Sequence, residues 1–315
     1  MENEVKKEMI VNELPARTWN RLGVNETRIL WEEDKAKQEE QKFRIPEGEQ
    51  ADTLVIRSGD EKGPFTGNRF LIEVEAGSSV TVVEYVDAHS PLMTEVTIQV
   101  GARAKVRFVQ LCVSSAEAVL YHNLKVRCEE EGRFEVISAL LGKGQIHTDS
   151  YIDLIGDRSM LTADTGYYAK DGQQVDINFA VNHYGRESIS TIDARGTVAN
   201  GGKKIFKGTI DFKKGSAGSV GSENETVLLI GEDVENKTVP LILCAEENVE
   251  GTHGASIGGL SPEMLYYFAS RGIDQAAAEE IMAGGAIERL GRLSREEDFI
   301  QNLQKVWEAS EEEQA

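Results

Sequence analysis

The chain has 315 residues, 40% of them hydrophobic and 28% charged, which places it among globular proteins and excludes a wholly disordered, collagen-like or coiled-coil chain. Its 34 basic and 54 acidic side chains give a formal charge of −20. The resulting field repels nucleic-acid phosphates and anionic lipid surfaces, so neither nucleic acid nor membrane is expected as a partner.

The N-terminus, from Met1 to Ile10, is charged and lacks the apolar core of a signal peptide, and no stretch approaches the roughly 18 apolar residues that span a bilayer. A cytoplasmic protein is expected. Residues 1–50 are rich in Glu, Lys and Gln, with Trp19, Leu22, Ile29, Leu30 and Trp31 among their few large apolar groups, and read as a short helical or irregular arm. From 51 to 260 the texture changes to short β-branched runs such as Val80-Thr81-Val82-Val83 and Val106-Arg107-Phe108-Val109, bounded by Gly and Asp turn signals. No long 3.6-residue periodicity interrupts them, which excludes alternating βαβ folds.

Several strands open after a glycine, at Gly77, Gly101, Gly132 and Gly156, spaced 24, 31 and 24 residues apart. Short strands at a rough period without helices predict a β-solenoid of roughly eight coils, with a β-sandwich as the alternative. The open ends of such a solenoid need covering, which predicts a dimer formed through the β region.

From 261 to 315 the chain reads as a helical segment. Ser261-Pro262-Glu263 is an N-cap with proline at the first helical position, and Gly272 closes that helix. Asp274 caps a second helix holding Ile281 and Met282, Ser294-Arg295-Glu296-Glu297 reads as a capping box opening a third, and Glu311 to Ala315 form an acidic tail. The consecutive Leu265-Tyr266-Tyr267-Phe268 puts aromatics on more than one face, more than three short helices can bury among themselves.

The chemistry-bearing motifs are few. Gly196 to Lys204 departs from a phosphate-binding loop at its first glycine and at its Ser/Thr, so no nucleotide is expected to bind this chain. No local signature of a hydrolase or zinc enzyme is present. Cys112, Cys128 and Cys244 include no C-x-x-C pair, which fits a reducing compartment and leaves no disulfide framework or four-thiolate site. Cys244 follows Leu241-Ile242-Leu243 and reads as a buried small hydrophobe, and the glycines of 196–208 and 215–221 read as turns between coils. Of His89, His122, His147, His183 and His253, the last stands apart. It lies in Gly251-Thr252-His253-Gly254-Ala255, where flanking glycines let a ligand approach, at the junction of the β region and the helices. Iron or a similar metal there would need further ligands from elsewhere, most simply across a dimer interface.

The runs Gly196-Thr197-Val198 to Gly208, Leu228-Leu229-Ile230-Gly231-Glu232-Asp233, His253-Gly254-Ala255 and Leu265 through Ile273, collinear over about residues 70 to 290, resemble the core of the SufB/SufD family of iron–sulfur cluster assembly proteins. The resemblance implies an all-β core, a right-handed parallel β-helix with an N-terminal arm and a C-terminal helical segment. It also implies a non-enzymatic scaffold that works with a SufC-like ABC ATPase docked on the C-terminal helices and builds a transient iron–sulfur cluster at the interface between two β-helix subunits. SufB-type members carry a cysteine shortly after the Leu-Ile-Gly motif and a His-Glu pair further on. Val234 and His253-Gly254 stand here instead, so the chain is more similar to the SufD branch, with His253 as the cluster-related residue. The second subunit is either a SufB-like paralogue or another copy of this chain. Two other readings are a structural partner that never contacts iron and a β-solenoid enzyme acting on polysaccharide or acyl substrates.

Overall fold

The computed structural model describes residues 6–17, 20–32, 40–59 and 68–311; Trp19 and the acidic tail beyond Glu311 lie outside them. Two antiparallel strands, β1 (Lys6–Val11) and β2 (Thr27–Glu32), come first. The chain then alternates between two sheets. One contains β3 (Gln41–Ile45), β5 (Arg69–Val74), β7 (Leu92–Val100), β9 (Val119–Cys128), β11 (Gln145–Leu154), β13 (Gln174–His183), β15 (Lys203–Phe212) and β17 (Glu235–Cys244). The other contains β4 (Leu54–Gly59), β6 (Ser79–Ala88), β8 (Lys105–Ser114), β10 (Arg133–Gly142), β12 (Met160–Ala169), β14 (Ile189–Ala199), β16 (Val220–Ile230) and β18 (Glu250–Gly258). Neighbours within both sheets are parallel, for example β8 with β10 and β11 with β13. The fold is therefore the expected parallel β-helix, and the sandwich alternative, which needs antiparallel pairs, falls away.

Alternate side chains of each strand face a shared interior. Phe108, Val136, Ala163 and Ile192 stack in register there, each 1% exposed or less. Ser79, Lys105, Arg133, Met160, Ile189, Val220 and Glu250 also stack, so one coil takes 26 to 31 residues. The glycine spacing missed this period because the glycines occupy different places in successive turns. The position that repeats is a left-handed residue, filled by Gly77, Arg103, Glu131, Arg158, Glu187 and Gly218 at φ between 54° and 82°. Each donates its N–H to a carbonyl of the next coil, as Arg103 does to Glu130 at 2.8 Å and Arg158 to Arg186 at 2.8 Å. This ladder offsets the cost of a left-handed conformation for an ordinary side chain.

The described residues of the N-terminal segment, read as helical or irregular, form the β1–β2 hairpin with a 3-10 turn at Asn20–Leu22. The solenoid opens at Gln41, before the expected boundary, because Phe43 and Ile45 alternate with Lys42 and Arg44 and pack on the core. The hairpin lies on the outer face of the β3-to-β17 sheet, where Leu14 and Val24 meet Val239, Ile205 and Leu241.

Three helices follow the last strand: α1 (Pro262–Ala269), α2 (Gln275–Ser294) and α3 (Glu297–Glu311). Ser261 caps α1 by accepting from Met264 N, and Asp274 caps α2 by accepting from Ala277 N. Helix α2 buries Ala283, Ile287 and Leu290 and leaves Ile281 and Met282 exposed. Ser294 ends α2 instead of opening α3, its hydroxyl donating to Gly291 O at 2.7 Å. Ile287 and Leu290, with Phe299 and Leu303 of α3, cover Val83, Val109, Leu111, Ile137, Ala139 and Leu141 on the outer face of the even-numbered sheet. Helix α1 buries nothing, and Tyr266 is 78% exposed. Among the described residues, no helix is long and apolar enough to cross a membrane.

Candidate functional site at the solenoid mouth

Strands β17 and β18 end the two sheets, and among the described residues nothing pairs with them beyond. Every residue of β18 from Glu250 to Ile257 is exposed. Register fixes which of them look inward: Gly251, His253, Ala255 and Ile257 lie opposite Gly221, Glu223, Glu225 and Val227 of β16, and Val227 belongs to the interior core. His253 thus sits on the final rung, facing the open interior, one strand spacing above Glu223.

Below the mouth the interior is polar. Lys204 and Glu225, each 2% exposed or less, form an ion pair. Tyr167 Oη donates to Glu225 Oε1 at 3.1 Å, Thr238 Oγ1 donates to Glu225 Oε2 at 2.6 Å, and Lys204 Nζ also reaches Thr238 Oγ1 at 3.2 Å. Burial lowers the Lys204 pKa against the pull of Glu225. Glu223, 2% exposed, is pushed up to about 8 by burial and then by the charge of Glu225, with Lys204 opposing.

Two glycines make room for this network. A Cβ at Gly196 would lie 2.4 Å from the Tyr167 ring, and one at Gly208 would lie 2.3 Å from the Glu223 carboxylate. Both occupy strand interiors, not the turns expected of them, because large polar side chains must fit inside a narrow solenoid.

The other candidates are placed as follows. Cys112 and Cys128 are buried, and burial raises both thiols, Cys128 to about 12, so neither is a ready thiolate. Cys244 is exposed at the end of β17. The expected buried position fails because β17 belongs to the final rung, which no further coil covers among the described residues. His122 pairs with Glu84 at 2.8 Å deep in the interior, and His183 is held between Ser188 Oγ and Ser190 Oγ at 2.8 Å each. His147 lies under the N-terminal hairpin with its Nδ1 3.8 Å from Asp176, and His89 is exposed beside Asp87. Among the described residues no group of three or more His, Cys, Asp or Glu side chains is placed to hold a metal ion. Any metal at the mouth would need ligands from outside the chain.

Sequence reasoning singled out His253, which lies on the final rung, and passed over Glu223, Glu225 and Lys204 behind it. The available signal was parity: residues 221, 223, 225 and 227 share one strand face with apolar Val227, so the two acids had to be internal.

Comparison with known proteins covers the same core. The chain is 25% identical over 253 residues to the iron-sulfur cluster assembly protein SufD of Bacillus subtilis, covering 76% of this chain and 57% of that protein. It is 24% identical over 240 residues to SufD of Escherichia coli K12, covering 75% and 56%, and 25% identical over 228 residues to a SufBD family protein of Staphylococcus epidermidis, covering 70% and 48%. The chain thus spans about half the length of the curated relatives it matches. Residues 56–286 match the model of the SUF system FeS cluster assembly SufBD core domain, and with most of its length so matched the chain belongs to the SufBD family of iron–sulfur cluster assembly proteins, on the SufD-like side.

Proposed function

We propose that this chain is a scaffold, not an enzyme, of a SUF-type assembly complex in the cytoplasm, and that a nascent iron–sulfur cluster is assembled or passed on where its solenoid mouth meets a second β-helix subunit. The single observation that carries the reading is His253: an exposed imidazole on a terminal rung paired on one side alone among the described residues, above the buried carboxylates of Glu223 and Glu225. An edge strand with a free row of backbone donors and acceptors favours closure by another sheet. The partner is a SufB-like paralogue or a second copy of this chain, and it supplies the remaining ligands.

ATP hydrolysis comes from a SufC-like ABC ATPase, and no nucleotide binds this chain. Its docking surface centres on α1, where Tyr266 and Tyr267 are exposed and the Arg271 guanidinium stacks 3.5 Å from the Tyr267 ring centroid. Helices α2 and α3 act as the anchor. Deleting everything after Leu260 would therefore strip the cover from Val109 and Ile137 and is a poor test. Replacing Tyr266 and Tyr267 by Ser tests docking alone.

The deciding experiment reconstitutes the complex anaerobically with wild type and with His253→Ala. The expected result is unchanged melting and ATPase binding with loss of bound iron and sulfide. Normal iron uptake by the variant removes His253 from the site and leaves the chain as a structural partner.

A further inference from the structure

Inside the last two coils lies a carboxylate that the fold itself does not use. Glu225 is saturated by Lys204, Tyr167 and Thr238. Glu223, two residues earlier on the same inward face, is 2% exposed, and its Oε2 has no hydrogen-bond partner. A buried carboxylate oxygen without a donor is costly, and unlike the unpaired Glu84 Oε1 deep in the solenoid this one stands one rung below the open mouth, within reach of an occupant. Its place is also built. Gly208 on the opposite sheet supplies the space, since a Cβ there would lie 2.3 Å from Glu223 Oε2. The charge of Lys204 is already matched by Glu225, so an ionised Glu223 leaves the cavity with an uncompensated negative charge.

Glu223 and His253 are register partners on adjacent rungs and point into the same interior. Parallel strands bring such positions about 4.8 Å apart at Cα, and both side chains are long enough to converge on one ion. We propose that Glu223 and His253 together form a two-ligand ferrous-iron site at the solenoid mouth, with the outward coordination positions left open to the partner subunit and to incoming sulfide. An imidazole nitrogen with a carboxylate oxygen suits a divalent first-row metal, and two protein ligands hold it loosely enough to be handed on. Glu225 is no substitute, because both of its oxygens already accept hydrogen bonds. The inference rests on the reading of the mouth as the iron-handling site and adds a ligand from this chain to it.

The test is anaerobic titration of the full chain with Co(II), read by its ligand-field absorption, followed by displacement with Fe(II). Wild type should bind one equivalent. Glu223→Gln and His253→Ala should each weaken binding by roughly tenfold or more, and Glu223→Asp, which keeps a carboxylate, should retain part of it. Circular dichroism confirms that each variant is folded. If Glu223→Gln does not fold, Glu223→Asp carries the test through a changed ligand-field spectrum. Wild-type binding by Glu223→Gln alongside loss in His253→Ala overturns the role of Glu223 while leaving the mouth as the iron site. Identical titrations for wild type and both variants overturn this inference together with the reading it rests on.

Discussion

Lys207 Nζ donates to the main-chain oxygen of Asn12 at 2.9 Å, tying the outer face of the solenoid to a hairpin 195 positions earlier in the chain. The same ammonium lies 3.4 Å from Asp176, which Thr27 also meets, while Asn12 Nδ2 donates to Asp176 O at 3.0 Å. Lys207 and Asp176 are fully buried, so this polar clamp, more than the small Leu14–Val24–Val239 contact, locates the hairpin. Lys207→Met should strand the Asp176 charge and cost about 3–5 kcal/mol. Hydrogen exchange should then accelerate across residues 6–32, and unchanged protection there would show that the apolar contact suffices.

Helix α2 is held to the sheet by shape as well as by charge. Leu290 is fully buried against β12, where Gly166 leaves it room: a Cβ there would lie 2.6 Å from Leu290 Cδ1. Arg289 adds ion pairs to Asp164 and, at 2.9 Å, to Asp193. Leu290→Ala should cost about 2–5 kcal/mol, read as a lower denaturant midpoint. A change below about 1 kcal/mol would mean that Phe299 and Leu303 hold the helices unaided.

Acid sensitivity should come in part from His183. Burial pushes it down from 6.5 to about 4. Above 6.5 neither folded nor unfolded chain carries its proton. Between 6.5 and about 4 only the unfolded chain takes it up, so stability is lost as pH falls through that window. His183→Gln keeps a side chain that can bond Ser188 and Ser190. Melting followed from neutral pH to about 4 should show wild type losing ground to the variant, and parallel profiles would exclude this source.

Closure of the mouth by a second subunit should depend on Ile257, which is 44% exposed on the inward row of β18. Ile257→Arg should lower stability only modestly, by about 1 kcal/mol or less, since the native side chain is nearly half exposed and the long arginine stem can carry the charge out through the mouth. In sedimentation, association with the partner should weaken. Equal association of the variant would place the contact elsewhere.

The strands were legible because β-branched runs such as Val80 to Val83 have a single physical reading, and Ser261 and Asp274 marked their helices through side-chain oxygens that cap backbone N–H groups. The face of each strand was harder to assign. On β8, Phe108 points inward and Val109 and Leu111 point outward beneath α3, so the run is apolar on both sides and its alternation disappears. The same ambiguity hid Glu223 and Glu225, since acids in a strand ordinarily mark the solvent face. The hairpin was lost because its anchoring partners, Asp176 and Lys207, lie far along the chain and carry no local pattern.

A solenoid coil is stabilised by its neighbours on either side, and among the described residues β18 pairs on one side alone. The rung that carries His253 is thus, like the β3–β4 rung at the other end, among the first to fray, with a lower opening free energy than the coils between them. Whatever seats on that edge holds the imidazole in place, and by mass action a ligand requiring the closed rung gains affinity as the capping subunit becomes more concentrated. If the mouth holds iron as proposed, affinity measured on a dilute, uncapped chain will understate the value in the assembled complex, and dissociation of that complex would itself loosen the metal.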